Sequence, residues 1–327
     1  MFDRPSPRPR ARHPRNLRVL VGAAIASLVL AACGSSETSG TAGDASPDGA
    51  ATRTVATAMG PVEISGTPKR VVVLDTPELD LATTLGVTPV GTVKASVGDG
   101  LPRYLAEQAE GIANVGTIEE PDLVAIAKLR PDLILGSKVR IEKLYPQLTK
   151  IAPTVFTETP ADWKANVRTN ARALGRATQA DSFLQRYAAR ARAVGERLGD
   201  AAATTVGVVR FLPGEIRLYS PRSFVGSVLK DVGVTLPDAA EKATDINATL
   251  SLENLHRADA DVLYTTVYGP AKDTDEAKAK RLPAWKRLQA VRAGRVHPEP
   301  DDVWMLGIGV TGADRVLDEL ERTLPAS

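Results

Sequence analysis

The longest regular hydrophobic pattern of the chain lies between residues 162 and 200, a stretch without proline. Its apolar side chains recur three or four positions apart, which is the spacing of one buried stripe on a helix. A continuous helix of this length would measure about 55 Å, more than the width of one small domain. The pattern therefore predicts a long helix that joins two bodies, with Gly175 as a position at which it can divide in two.

The segments on either side of this helix predict α/β structure. The continuous apolar run at 71–74 is typical of a strand buried in a parallel sheet. Residues 120–136 and 250–266 each predict a short helix, an Asp-containing turn and a strand, and this echo favours two related lobes. The expected fold is α/β, with two Rossmann-like lobes joined by a single long interlobe helix.

Turn and capping residues add detail to both lobes. A Gly-Pro pair predicts a hairpin over residues 54–65, and Ser223 is placed to begin a helix. Residues 98–114 read mainly as a loop, and residues 301–309 read as a loop that carries Trp304.

The first 32 residues have the layout of a secretion signal. Six arginines lie before or within the start of an apolar run over 17–32, which is shorter than the roughly 20 residues of a bilayer span. The run ends in Leu-Ala-Ala-Cys, the bacterial lipoprotein pattern, in which the thiol of Cys33 takes the lipid. An uncleaved signal anchor is the alternative. Since Cys33 is the only cysteine, the chain can form no internal disulfide.

Composition sets the remaining boundaries. Residues 33–53 are small and polar and predict a flexible tether, followed by a first lobe over 54–160, the interlobe helix over 161–200 and a second lobe over 201–327. The whole chain has a formal charge of +2, but residues 1–32 hold six arginines and one aspartate, so the remainder carries about −3. No nucleic-acid partner is expected from this balance.

The order of several segments resembles a known family. RVVVLD, PDLILGSK, SFVGSVL, SLENL, LPAWKRLQAVRAGRV and WMLGIGVTGADRVLDEL, beside a lipoprotein signal, resemble the iron-siderophore substrate-binding lipoproteins of bacterial ABC importers from Arg70 onward. The resemblance implies a class III binding protein with a helical backbone, whose lobes close only slightly on a ligand. It also implies a monomer without enzymatic activity or intrinsic cofactor, held on the outer face of the cytoplasmic membrane, that binds a ferric siderophore and delivers it to an ABC permease.

The resemblance further implies one acidic docking residue on each lobe. In the second lobe it falls on Glu253, within a helix that includes SLEN. In the first lobe the matching position is Val124, a departure from the family pattern. Glu120, or its neighbour Glu119, is expected to take that role, unless docking is asymmetric.

Residues at the carboxyl ends of strands are the candidates for ligand binding, because ligands of open α/β sheets bind at that edge. Arginines suit chelating oxygens and aromatic rings suit the outside of a ferric complex. The candidates are Lys138 and Arg140 in the first lobe and Arg210, Tyr219, Arg222, Tyr268 and Trp304 in the second, of which the resemblance favours Arg210 and Trp304.

Two other functions remain open at this point. A corrinoid or haem carrier shares the fold, and Tyr268 is a possible axial ligand to haem. A lipid-anchored hydrolase would use Ser223 as its nucleophile, but the sequence offers this serine no base and no G-x-S-x-G motif. A bare metal site is not expected, because His256 and His297 are the only histidines after the signal and neither has a nearby set of ligands.

Overall fold

The computed structural model describes residues 52–95 and 100–324. The predicted signal peptide, Cys33 and most of the predicted tether lie outside these residues. We call residues 52–160 the first lobe and residues 201–324 the second lobe.

The first lobe contains a hairpin and a five-stranded parallel sheet. Its elements are β1 (Thr52–Thr57), β2 (Gly60–Ser65), β3 (Val71–Val73), α1 (Thr76–Thr84), β4 (Gly91–Lys94), α2 (Arg103–Ala106), β5 (Ala113–Thr117), α3 (Leu123–Lys128), β6 (Leu133–Ser137), α4 (Lys138–Ile141), α5 (Tyr145–Leu148) and β7 (Thr154–Thr157). The hairpin pairs β1 with β2 as predicted. In the sheet the strands lie in the order β5-β4-β3-β6-β7, all parallel. The central strand β3 is fully buried, as its unbroken apolar run requires.

Two helices connect the lobes. They are α6 (Trp163–Ala173) and α7 (Ala177–Arg197), so the predicted single long interlobe helix is divided at Gly175. Gly175 has a φ of 69°, a left-handed conformation that glycine adopts without a steric penalty and that ends a helix. Helix α6 packs on β1, β7 and α1 of the first lobe, whereas α7 packs on helices of the second. The joint therefore lies where the chain passes from one lobe to the other.

The second lobe repeats the plan with a mixed sheet. Its elements are β8 (Val206–Leu212), β9 (Glu215–Tyr219), α8 (Phe224–Val232), α9 (Asp238–Glu241), β10 (Asn247–Leu250), β11 (Val262–Val267), α10 (Glu276–Arg281), α11 (Pro283–Lys286), α12 (Gln289–Arg292), β12 (Val296–Pro298), α13 (Asp301–Trp304) and α14 (Val310–Thr323). The strand order is β10-β9-β8-β11-β12, with β8, β11 and β12 parallel and β9 antiparallel to both of its neighbours. The two-lobed α/β fold is thus confirmed.

Aromatic packing joins the hinge helices to the second lobe. The ring of Trp163 at the start of α6 meets Tyr187 of α7 edge-on at 4.9 Å and Phe224 of α8 at 5.8 Å. Its indole N–H donates to the Ser227 hydroxyl at 3.0 Å. Because these rings belong to one hydrophobic cluster that includes residues of both sheets, the hinge is packed as core.

Several local predictions need correction. The first described strand begins at Thr52, so Arg53, predicted as the end of the tether, belongs to the hairpin and donates to the carbonyls of Gly66, Arg172 and Ala173. Strands β5 and β10 were not predicted, because both are polar, half-exposed edge strands without an apolar run. Residues predicted as a loop at the start of 301–309 form the short helix α13, which begins after Pro300.

Among the described residues, no helix combines the length and the apolar character needed to cross a membrane.

Candidate functional site

A cleft of about 430 Å³ lies between the two lobes. Its walls follow the carboxyl ends of β4, β11 and β12, where ligands bind in sheets of this kind. The residues that line it are Ala95, Gly100, Leu101 and Arg103 from the first lobe and Val267, Tyr268, Gly269, Pro270, Pro300, Asp301, Asp302 and Leu306 from the second. Both lobes therefore contribute to one cavity with charged, aromatic and aliphatic walls.

Arg210 lies behind the second-lobe wall. Arg210 lies within β8, in the register opposite β11. Its guanidinium donates two hydrogen bonds to the Asp301 carboxylate, from Nε at 2.7 Å and from Nη2 at 2.5 Å. The side chains are only 9% and 12% exposed, so this is a nearly buried bidentate ion pair. Burial by itself would lower the pKa of Arg210, but the hydrogen bonds and charge of Asp301, with Tyr219, raise it above its ordinary value.

Two tyrosines complete the surroundings of this guanidinium. The ring of Tyr268 covers it at 4.6 Å, and the Tyr219 hydroxyl accepts from Nη1 at 3.3 Å. Tyr268 lines the cleft, whereas Tyr219 is buried at the end of β9. Of the seven residues predicted to bind ligand, Tyr268 alone lies on the cleft surface, and Arg210 and Tyr219 support it from behind.

A second ion pair crosses the cleft. Arg103 of the first lobe donates from Nε to Asp302 of the second at 3.1 Å, and its backbone N–H donates to the same oxygen at 2.9 Å. Burial would raise the pKa of Asp302, but these hydrogen bonds hold it below its ordinary value. The side chain of Arg103 is 70% exposed, so solvent screens this pair more than the pair behind it.

Trp304 is a core residue, contrary to its prediction as a ligand contact. It has no exposed surface and stacks on Tyr264 with ring centroids 4.5 Å apart. Helix α13 explains the difference, because it turns Asp301 and Asp302 toward the cleft and Trp304 toward the interior.

The basic candidates of the first lobe bind acids of their own lobe. Lys138 pairs with Glu158 at 2.9 Å, and Arg140 pairs with the buried carboxylate of Asp75 at 3.1 Å. Both follow β6 as predicted, but neither lines the cleft. Arg140 has a clear structural role, since Asp75 is also the N-cap of α1 and would otherwise be a buried charge without a partner cation.

Arg222 and Ser223 lie in the loop directly before α8. Arg222 is exposed and does not line the cleft. Ser223 caps α8: its hydroxyl donates to the Ser220 carbonyl at 2.7 Å and accepts from the Gly226 N–H at 3.0 Å. The hydroxyl considered as a nucleophile is thus a buried helix cap.

The two docking candidates occupy equivalent positions. Glu120 follows β5 and Glu253 follows β10, and each of these strands is the outer edge of its sheet with its carboxyl end on the cleft side. Both side chains are exposed. Glu253 lies in a turn before a 3-10 helix over Leu255–Ala258, a correction to its predicted place within a helix. Val124, four residues after Glu120 in the chain, is 63% exposed, so the first lobe presents an apolar side chain on its surface.

Sequence reasoning missed Arg103, Asp301 and Asp302. A signal existed for the two aspartates, because Asp301 and Asp302 come shortly after a predicted strand, whereas Arg103 comes nine residues after the end of β4. The rule that ligands bind at the carboxyl ends of strands would have identified the two aspartates but not Arg103.

A larger cavity of about 510 Å³ lies at the joint of α6 and α7. Its lining comes from β1, the two hinge helices and the turn between them, and it includes Arg53, Arg172 and Arg176. Since neither sheet directs a strand end into it, we take the interlobe cleft as the candidate site. Within the described residues, no group of three or more His, Cys, Asp or Glu side chains is arranged to hold a metal ion.

Comparison with known proteins gives concordant similarities. The family described as periplasmic binding protein matches residues 71–302. A probable siderophore-binding lipoprotein of Bacillus subtilis, YfiY, is 39% identical over 91% of this chain and 94% of its own length. The achromobactin-binding periplasmic protein of Dickeya dadantii is 32% identical over 78% of this chain and 86% of its own length.

Among solved structures, Staphylococcus aureus SirA in complex with staphyloferrin B is similar with a TM-score of 0.78 and 31% identity. The similarity covers 84% of this chain and 99% of SirA. The likeness therefore extends over both lobes and the hinge.

Proposed function

The chain belongs to the periplasmic binding protein family, and on that premise we propose that it captures a ferric siderophore outside the cytoplasm and delivers it to an ABC importer. The observation that carries the proposal is a cleft between the carboxyl edges of two sheets, in a chain that is 39% identical to a protein named as a probable siderophore-binding lipoprotein. The iron is cargo that enters within its chelator, and the protein recognises the outside of the complex.

The proposed binding mode uses the cleft walls as they stand. The ring of Tyr268 offers an aromatic face, Leu101 and Leu306 offer aliphatic surface, and the ion pair of Arg103 with Asp302 offers both a donor and an acceptor. A cavity with mostly apolar walls and a few placed polar groups is typical of small-molecule sites. Because Arg103 and Asp302 come from different lobes, a ligand that touches both favours the closed arrangement.

We further propose that Cys33 carries a lipid that holds the protein at the outer face of the cytoplasmic membrane. The sequence pattern before Cys33 supports this, as does the naming of a 39% identical relative as a lipoprotein. Glu253 and Glu120 are the proposed contacts with the permease, since both are exposed at the cleft side of edge strands. We propose that the protein acts as a monomer.

Ligand titration of the purified protein tests the proposal. Intrinsic tryptophan fluorescence is suitable, because Trp304 packs directly behind the cleft wall. The panel comprises ferric hydroxamate, catecholate and carboxylate siderophores, the same chelators without iron, haem and cobalamin. Submicromolar quenching by one ferric class is expected. No change in fluorescence with any siderophore, together with a change on adding haem or cobalamin, would contradict the proposal and favour a haem or corrinoid carrier.

A further inference from the structure

Two arginine–aspartate pairs make the charged part of the cleft electrically balanced. Arg210 pairs with Asp301, and Arg103 pairs with Asp302. An uncharged ligand can fill the cleft without disturbing either pair. A ligand that carries a carboxylate meets two aspartates on the second-lobe wall, and like charges brought together in a partly desolvated site repel strongly.

The two members of the buried pair are held very differently. Arg210 stands in a central strand, is covered by Tyr268 and donates to Tyr219 as well as to Asp301. The carboxylate of Asp301, by contrast, accepts hydrogen bonds only from Arg210 among the described residues, and it stands at the start of the four-residue helix α13. Asp301 is therefore the half of the pair that can move away.

Access to the arginine also runs through this carboxylate. Asp301 lines the cleft and Arg210 does not, so a ligand reaches the guanidinium at the place that Asp301 now occupies. The fork of Arg210 binds both oxygens of Asp301, which is the geometry by which it would bind a carboxylate of a ligand.

We propose that the Asp301 carboxylate is a displaceable substitute for an anionic group of the ligand, so that Asp301 sets how strongly the cleft prefers anionic over uncharged ferric complexes. The proposal rests on the proposed function and deepens it. When an anionic complex binds, its carboxylate takes the place of Asp301 on the Arg210 fork, and the Asp301 side chain turns into solvent at the cleft mouth. An uncharged complex binds with the pair intact.

The first test compares the wild-type protein with Asp301→Asn. The probes are ferric citrate as the anionic complex and ferrichrome as the uncharged one, each titrated by tryptophan fluorescence. Since the variant removes the competing charge and leaves Arg210 in place, the ratio of affinities for ferric citrate over ferrichrome should rise about tenfold or more. An unchanged ratio would overturn the proposal.

Asp302→Asn is the matched control, because it removes one negative charge from the same wall. Asp302 is a proposed ligand contact, so this variant changes the affinity for both probes and is judged by the ratio alone. Because its partner Arg103 is largely exposed, solvent screens the pair, and the ratio should rise by less than about threefold. An equal rise in both variants would show a general charge effect and would contradict a specific displacement of Asp301.

Iron-free citrate tests the displacement without any siderophore. Asp301→Asn leaves a buried guanidinium without its counter-charge, so the melting temperature of the variant should fall. At the same ionic strength, citrate should raise this melting temperature more than sodium chloride does. No selective rescue would count against the proposal. Because this arm requires no ferric ligand, a failure of the siderophore function is distinguished from a failure of the displacement.

A measurement on the wild-type protein covers the case in which Asp301→Asn does not fold. The Nε–H resonance of Arg210, assigned by its absence in Arg210→Lys, is followed while gallium citrate is added as a diamagnetic probe. Displacement of Asp301 should shift this resonance in saturable fashion. A resonance that stays in place while gallium citrate binds would show that the pair remains closed, and the proposal would be wrong.

Discussion

Three carboxyl groups lie between residues 75 and 80, and each is buried against a different partner. Asp75 pairs with Arg140, Asp80 accepts the hydroxyl of Tyr104, and Glu78 accepts from the amide of Asn170 at 3.3 Å. Glu78 differs from the other two in lacking a hydrogen-bond donor to one of its oxygens, because its Oε2 and the Oδ1 of Asn170 are both buried and have no partner among the described residues. A proton on Glu78 supplies the donor that such acceptors require, so we infer that Glu78 is neutral in the folded protein.

The protonation of Glu78 predicts a pH dependence of stability. Burial, and then the nearby charge of Asp75, raise the pKa of Glu78 to about 8 from an ordinary 4.5. A carboxyl group with a raised pKa in the folded state contributes its full stabilisation below pH 4.5 and loses it as the pH rises through about 8. Relative to Glu78→Gln, the wild-type free energy of unfolding should therefore fall by a few kcal/mol between pH 5 and pH 8.5. Urea denaturation at several pH values measures this, and parallel profiles for the two proteins would contradict it.

Arg210 predicts a large cost in stability when its side chain is removed. Arg210→Ala removes both hydrogen bonds to Asp301, and because Asp301 lines the cleft and can then turn toward solvent, the expected cost is that of lost charge-assisted hydrogen bonds, about 1.5–3 kcal/mol. Arg103→Ala is the matched control, because its pair with Asp302 is largely exposed and is expected to contribute about 1 kcal/mol or less. Chemical denaturation of both variants gives the two values, and equal losses would show that the buried pair is not a structural one.

At the scale of elements, the start of α14 is capped from the other lobe. The helix has no side-chain cap of its own, and the carboxylate of Asp80 in α1 accepts from the N–H groups of Thr311 at 3.2 Å and Gly312 at 3.1 Å. Gly312 is required here, since a Cβ at this position would lie 1.4 Å from the carbonyl oxygen of Gly307. The cap of α14 is therefore formed by hydrogen bonds between the two lobes.

The cap predicts a coupling that a cap within one lobe lacks. Asp80→Ala should cost about 1–2 kcal/mol and should increase hydrogen exchange at the first amides of α14, although the substitution lies in the other lobe. Asp122→Ala is the control, because Asp122 caps α3 within its own lobe through the N–H groups of Val124 and Ala125. Its effect should be confined to α3. Unchanged exchange in α14 of Asp80→Ala would show that the interlobe cap is not stabilising.

Elements with a strong hydrophobic period were predictable, and those without one were not. The apolar runs of β3, β6 and β8 and the amphipathic pattern of α14 are clear from the sequence. Edge strand β5 is not, because its residues are mostly half-exposed and polar. Helix α13 has only four residues, which is too short to show a hydrophobic period. The sequence therefore does not indicate that Asp301 faces the cleft and Trp304 faces the core.

At the scale of the whole molecule, the two sheets face each other with their carboxyl ends, and this explains how much of the site the sequence disclosed. The rule that ligands bind at carboxyl ends pointed to the correct edges, and it identified Tyr268. It did not show that Arg210 and Arg140 are bound by acids distant in sequence, since Asp301 and Asp75 come together with them only in the folded chain. Ion pairs between distant segments have no signature in local sequence.

The same arrangement predicts how the protein meets its permease. The proposed docking residues Glu253 and Glu120 lie at the outer edges of the two sheets, on the side where the cleft opens, so both can touch one partner surface at once.

Glu253→Ala should leave ligand affinity in solution unchanged and slow iron uptake by cells up to about tenfold, because an exposed charge at the rim of an interface acts mainly on association. Glu120→Ala should have a smaller effect, since the exposed Val124, four residues further along the chain, can give the first lobe an apolar contact in addition to the charge. Glu196→Ala, an exposed acid on α7 at the hinge, is the control and should change neither quantity. Normal uptake with Glu253→Ala, or a loss of ligand affinity in solution, would remove Glu253 from the permease interface.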